Sequence, residues 1–224
     1  MANVIIYYVD CNQKLFSDEF LYRERDLLDD RYVYTQCPVF NHKSNRTFIA
    51  VSPIDFTIQI NRNRDLIVLG NENYNIREFL HVDDLMSPHP VMQISFPKFL
   101  FWTEEKNVWF EYNDHPITSL NNNFIGIGGW FNISNWPRST SNAFTVVNPT
   151  KPIVIKKGDP MFRVSFYPPN LDAGIILKKI EDPQKVNQIL EQYNSIDRSK
   201  TNWKTKLFSK TQIKTCPFKF LYDR

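Results

Sequence analysis

Ile54, Phe56, Ile58 and Ile60 alternate with Asp55, Thr57, Gln59 and Asn61. A period of two buries one face of an extended strand and leaves the other in water, and an α-helix has no use for it. Short apolar runs at 4–9, 47–51, 66–69, 91–96, 108–112, 124–127, 144–147, 153–155 and 162–166 extend the series of candidate strands. The composition agrees: alanine, the best helix former, occurs 4 times, against 21 Ile and 18 Phe, which suit a pleated surface. Turn-forming residues separate the runs at Asn121-Asn122-Asn123, at Gly128-Gly129 and from Asn148 to Pro152. This predicts a mainly β protein, an antiparallel sandwich or jelly-roll-like domain. Two stretches lack alternation. Residues 17–30 read as helix or irregular chain, and the segment around His81 as helix or turn.

The C-terminal part has a different period. Asp182-Pro183 supplies an N-cap and a first-turn proline, and Val186, Ile189, Leu190, Tyr193 and Ile196 follow at helical spacing. An amphipathic helix is expected over about 182–200, followed by a basic arm that carries Trp203, Leu207, Phe208 and Phe218. Residues 1–174 carry 16 Lys and Arg against 19 Asp and Glu, and residues 175–224 carry 11 against 5. The overall charge of +3 therefore hides a slightly acidic β body (1–174) and a basic extension (175–224).

A hydrophobic content of 42% with 23% charged residues excludes a wholly disordered chain. No apolar stretch reaches the length of a membrane-spanning helix, and the first ten residues read as a strand and not as a signal peptide. A cytoplasmic or virion location is expected, without secretion by a signal peptide. Cys11, Cys37 and Cys216 are too few and too scattered for a disulfide framework or a zinc site, and Cys37, before Pro38, reads as a buried thiol. The 22 Asn, 21 Ile and 16 Lys favour AT-rich codons and point to a phage or a streamlined bacterium.

Chemistry-bearing patterns are sparse. His81-Val82-Asp83 with His115 as a distal third ligand matches the two-His-one-carboxylate face of non-haem iron oxygenases. The spacing to His115 is short, and the next arginine, Arg138, is poorly placed to hold an oxoacid. A polar loop is the competing reading, and no metal or cofactor is expected. There is no G-x-S-x-G, and Gly126 to Gly129 lacks the Lys-Ser/Thr of a phosphate loop, so these glycines read as a strand bend with Trp130 packed over it. Glu104-Glu105, Asp29-Asp30 and Asp83-Asp84 have nothing that marks them as acid/base pairs. Trp102, Trp109, Trp130 and Trp136 fall close together, and either fill a core or line a surface for a sugar, base or peptide. In the arm, Trp203, Lys204, Lys206, Lys210, Lys214 and Lys219 are candidate partner-binding residues, with nucleic acid the alternative ligand.

Trp130, Phe144-Thr145 and the run Pro152-Ile153-Val154-Ile155-Lys156-Lys157-Gly158-Asp159-Pro160, closing at Pro168, resemble an uncharacterised domain-of-unknown-function family of bacterial and phage proteins. Arg31 to Pro38 is similar to that family's "RYxYxxxP" opening, while Arg46-Thr47-Phe48 stands where the family carries Gly-Trp. The resemblance covers roughly residues 30–170 and implies a β-rich fold; it brings no catalytic residue. Read physically, Pro152, Gly158, Asp159 and Pro160 are a fold motif in which glycine makes a turn at positive φ and proline opens a strand. The expected function is that of a non-enzymatic structural or interaction protein, phage-encoded, joining other protein subunits through its β body and basic arm. The alternatives are an oxygenase-like enzyme or small-ligand binder using His81, Asp83 and His115, and nucleic-acid binding through the tail.

Overall fold

The computed structural model describes residues 3–12, 15–16, 18–27, 36–61, 63, 65–70, 74–83, 85–182, 184–189 and 191. The chain divides into two units, Met1–Ile180 and Glu181–Arg224.

The first unit is mainly β. Its strands are β1 (Asn3–Asp10), β2 (Leu21–Arg23), β3 (Thr47–Val51), β4 (Phe56–Ile60), β5 (Leu66–Gly70), β6 (Leu80–Asp83), β7 (Val91–Ile94), β8 (Phe99–Trp102), β9 (Trp109–Asp114), β10 (Phe124–Gly126), β11 (Gly129–Asn132), β12 (Arg138–Ser139), β13 (Asn142–Val146), β14 (Ile153–Ile155), β15 (Pro160–Tyr167) and β16 (Gly174–Lys179). They form four sheets: A, in the order β12-β8-β1-β16; B, β11-β9-β15-β3-β2; C, β14-β4-β5; and D, β10-β13-β7-β6. Adjacent strands are antiparallel except β1 and β16, which run parallel from Asn3 opposite Gly174 to Tyr8 opposite Lys179. Two short helices, α1 (Pro38–Ser44) and α2 (Pro116–Asn121), each begin on a proline that fixes φ where no N–H partner is needed.

Phenylalanine ties the sheets together. Phe101 of sheet A meets Phe110 and Phe166 of sheet B with ring centroids 5.4 and 5.3 Å apart, and the last two lie 5.6 Å from one another. Phe96, just past β7, takes Phe56 of sheet C edge-on at 5.4 Å and Phe79 at 5.6 Å. Phe96, Phe101, Phe110 and Phe166 are fully buried. Each such pair adds about 0.5–1.5 kcal/mol beyond the area it removes from water.

The alternating run at 54–61 becomes β4, whose Phe56, Ile58 and Ile60 are buried while Thr57 and Gln59 are partly exposed. The Lys-Gly-Asp-Pro turn forms as its residues dictate. Gly158 sits at φ +87°, the Asp159 carboxylate accepts the Lys156 N–H at 2.8 Å, and Pro160 opens β15.

Other expectations need correcting. The described part of 17–30 is β2 followed by a 3-10 turn at Glu24–Leu27, held by β2 pairing with β3. The segment around His81 is strand β6: Leu80 and Val82 are partly buried, His81 and Asp83 between and after them are exposed, and this four-residue alternation pairs with β7. Gly129 opens β11 instead of bending an existing strand. Cys37 is exposed, since it stands outside α1 as its N-cap residue. The body continues through β16, inside the span that the charge arithmetic gives to the extension; residues 1–180 carry 18 Lys and Arg against 19 Asp and Glu.

In the second unit, residues 184–189 are helical. Asp182 caps them: its carboxylate accepts the Gln184 N–H at 3.0 Å and its carbonyl the Val186 N–H at 2.9 Å. The remainder of the expected helix and the arm with Trp203, Lys204, Lys206, Lys210, Lys214 and Lys219 lie outside the described residues. No helix among the described residues is long and apolar enough to cross a membrane.

Candidate functional site

Three adjacent strands of sheet B, β11, β9 and β15, place one aromatic group on the face turned away from the core. In register, Tyr167 lies opposite Trp109, Glu111 lies between Ser165 and Trp130, and Asn132 lies opposite Trp109. Registered partners share a face, so Trp109, Glu111, Trp130, Asn132 and Tyr167 all project to the same side. The neighbours in between, Phe110, Tyr112, Val164 and Phe166, point inward and are buried. Alternation on strands with a full core beneath them thus forces the tryptophans outward.

The outward rings contact one another. Trp130 stacks on Trp109 with centroids 6.1 Å apart and planes 27° apart. It reaches across β9 to Tyr167 at 4.8 Å and 31°. Despite both contacts Trp130 remains 40% exposed, while Trp109 and Tyr167 are half-buried. The Tyr167 hydroxyl donates to Glu111 Oε2 at 2.5 Å. Burial and the Glu111 carboxylate push the phenol up to about 12, so it stays a donor throughout the physiological range. One carboxylate oxygen is engaged in this way, and a carboxylate has capacity for several donors.

Two arginines near this side of the sheet, Arg46 and Arg163, are held within the fold. Arg46 is buried, its guanidinium donates to the Leu171 carbonyl and reaches His42, and burial lowers its pKa. Arg163 pairs with Glu24 at 3.3 Å and donates to the Asp114 carbonyl at 3.3 Å. Around the tryptophan–tyrosine stack the polar groups are the Glu111 carboxylate and the Asn132 amide.

The other sequence candidates are dispersed. Trp102 stacks on Tyr7 in sheet A at 4.9 Å, and Trp136 meets Phe131 edge-on at 5.9 Å. So two of the four tryptophans share a surface, joined by Tyr167, which sequence density near residue 130 does not reveal. His81 and Asp83 project together from edge strand β6, whereas His115 stands at the N-cap position of α2, after β9. Among the described residues no group of three His, Cys, Asp or Glu side chains is placed to hold a metal ion. The glycines at 126–129 have a structural reason. A Cβ on Gly126 would stand 2.3 Å from Asp114 Cβ, and one on Gly128 2.9 Å from the Tyr112 carbonyl oxygen, so they let the chain run close against β9 on its way from sheet D to sheet B. A shallow recess lined by Asp10, Asp18, Glu19 and Lys179 has room for little more than a water molecule, far less than a small-molecule pocket offers. Compared with protein-family models and with curated proteins, the chain matches none.

Proposed function

We propose that the protein is a non-enzymatic interaction module that engages its partner through the outer face of sheet B. One observation carries this reading: Trp130 is supported by Trp109 and Tyr167 and still keeps 40% of its surface open. Large aromatic side chains held rigid at a surface are the residues that dominate binding energy in interfaces. The C-terminal unit, with 9 Lys and Arg against 5 Asp and Glu, supplies a separate electrostatic handle for other subunits.

Replacement of Trp130 by alanine separates binding from folding. Removing an exposed ring is expected to cost no more than about 1–2 kcal/mol, against about 3–5 kcal/mol for a buried tryptophan. Immobilised wild-type protein should retain a component of its native extract that the Trp130→Ala protein, melting at nearly the same temperature, does not. A variant that unfolds, or one that melts alike and retains the same material, overturns the reading.

A further inference from the structure

The geometry points to a ligand class for this face: a neutral carbohydrate, bound by stacking on Trp130 with hydroxyls bonded to Glu111 and Asn132. The inference rests on the reading of the outer face of sheet B as the binding surface. A pyranose ring has a hydrophobic face of axial C–H bonds and a rim of hydroxyls. The C–H face suits the negative π-face of an indole, and each hydroxyl is both donor and acceptor. Trp130 keeps 40% of its surface exposed beside its two ring contacts, and the register places Glu111 directly opposite it on β9. Asn132 follows two residues along β11 on the same side, with its Oδ1 accepting the Ser134 N–H at 3.0 Å.

Charge selects among flat ligands. A nucleic-acid strand also stacks on aromatic rings, but its phosphates require cations lining the path. Here Arg163 is paired with Glu24, and Arg46, though charged, is buried and hydrogen-bonded to the Leu171 carbonyl, so neither lines an open path for phosphates. The polar group at the aromatic stack is the carboxylate of Glu111, already accepting from Tyr167. An anion would be repelled there, whereas a polyol donates to it. Preorganisation favours the same conclusion, because the two ring contacts of Trp130 limit the side-chain entropy lost on binding.

The test is a titration of the full-length protein, followed by tryptophan fluorescence and calorimetry, with cellohexaose, maltohexaose, chitohexaose and mannohexaose, and with (dT)20 as the anionic comparator. At least one hexaose should bind with little dependence on salt. Trp130→Ala should weaken that binding at least about tenfold, Trp130→Phe should restore part of it, and Glu111→Gln should weaken it without lowering the melting temperature of the unliganded protein. Absence of binding to all four sugars overturns the inference. So does sugar binding that Trp130→Ala leaves intact, or preferential binding of (dT)20 that falls steeply with salt. A Trp130-dependent partner in the native extract combined with no hexaose binding would reject the carbohydrate and leave the binding face standing.

Discussion

His115 stands where β9 hands over to α2, at the N-cap position, with its Nδ1 3.4 Å from the Thr118 hydroxyl. Burial, reinforced by the positive charge of Arg163, lowers its pKa to about 4, and the nearby Asp114 carboxylate only partly opposes this. The ordinary value is 6.5. Between these limits the unfolded chain binds a proton that the folded one does not. Stability therefore rises with pH across this window and is lost as the solution is acidified from 6.5 toward 4. Because the ring is only partly buried, the change is expected to be about 1–3 kcal/mol. Urea midpoints across the window read it directly. His115→Gln should flatten the profile relative to wild type, and a variant with an unchanged slope would show that the imidazole is not its source.

Among the elements, the link between β10 and the turn before β14 depends on one residue. Asn123 takes a left-handed conformation at φ 62°. Its amide donates to the carbonyls of Asn148 and Lys151 at 2.7 and 3.1 Å, and its Oδ1 accepts the Asn148 N–H at 2.9 Å. Asn123→Ala removes these bonds and strains the backbone, at an expected cost of about 2–4 kcal/mol; Asn123→Gly relieves the strain and should recover about 1 kcal/mol. Thermal denaturation of the two variants separates the contributions. Equal midpoints would mean that the left-handed backbone costs alanine nothing. The Asn-Asn-Asn run marks a turn in the sequence, but which asparagine clamps a segment 25 residues away is settled only by the fold. The same limit applies to strands and site. The period of β4 and the Lys-Gly-Asp-Pro turn are legible because local spacing determines them. Strand β8, Phe-Leu-Phe-Trp, shows no alternation because its first three residues are all buried, and β16 is recognised only through parallel pairing with β1. Trp109 and Trp130 stand out as aromatic density, yet their meeting with Tyr167 depends on the register of three strands, to which no local pattern gives access.

For the whole molecule, the hydrophobic core of the first unit runs from Ile6 to Ile175 and draws on all four sheets. The sheet pairings that bound it end with β16. A chain ending at Ile180 thus keeps every strand among the described residues, every aromatic contact described above and the outer face of sheet B. It is expected to unfold in a single cooperative transition, to retain a native near-ultraviolet aromatic signal, and to bind a hexaose as the full chain does. Its net charge changes sign, because the excess of 9 Lys and Arg over 5 Asp and Glu in residues 181–224 is removed from a molecule of net +3. At pH 7 the shortened protein should pass through a cation exchanger that retains the parent, and should become less soluble as its charge approaches zero. A cut that leaves secondary structure but abolishes the near-ultraviolet signal would mean that the sheets do not hold a fixed core by themselves. Loss of sugar binding from an otherwise intact fragment would place part of the binding surface in the C-terminal unit. Retention of both folding and binding assigns recognition to the β body and leaves the basic unit with the electrostatic role.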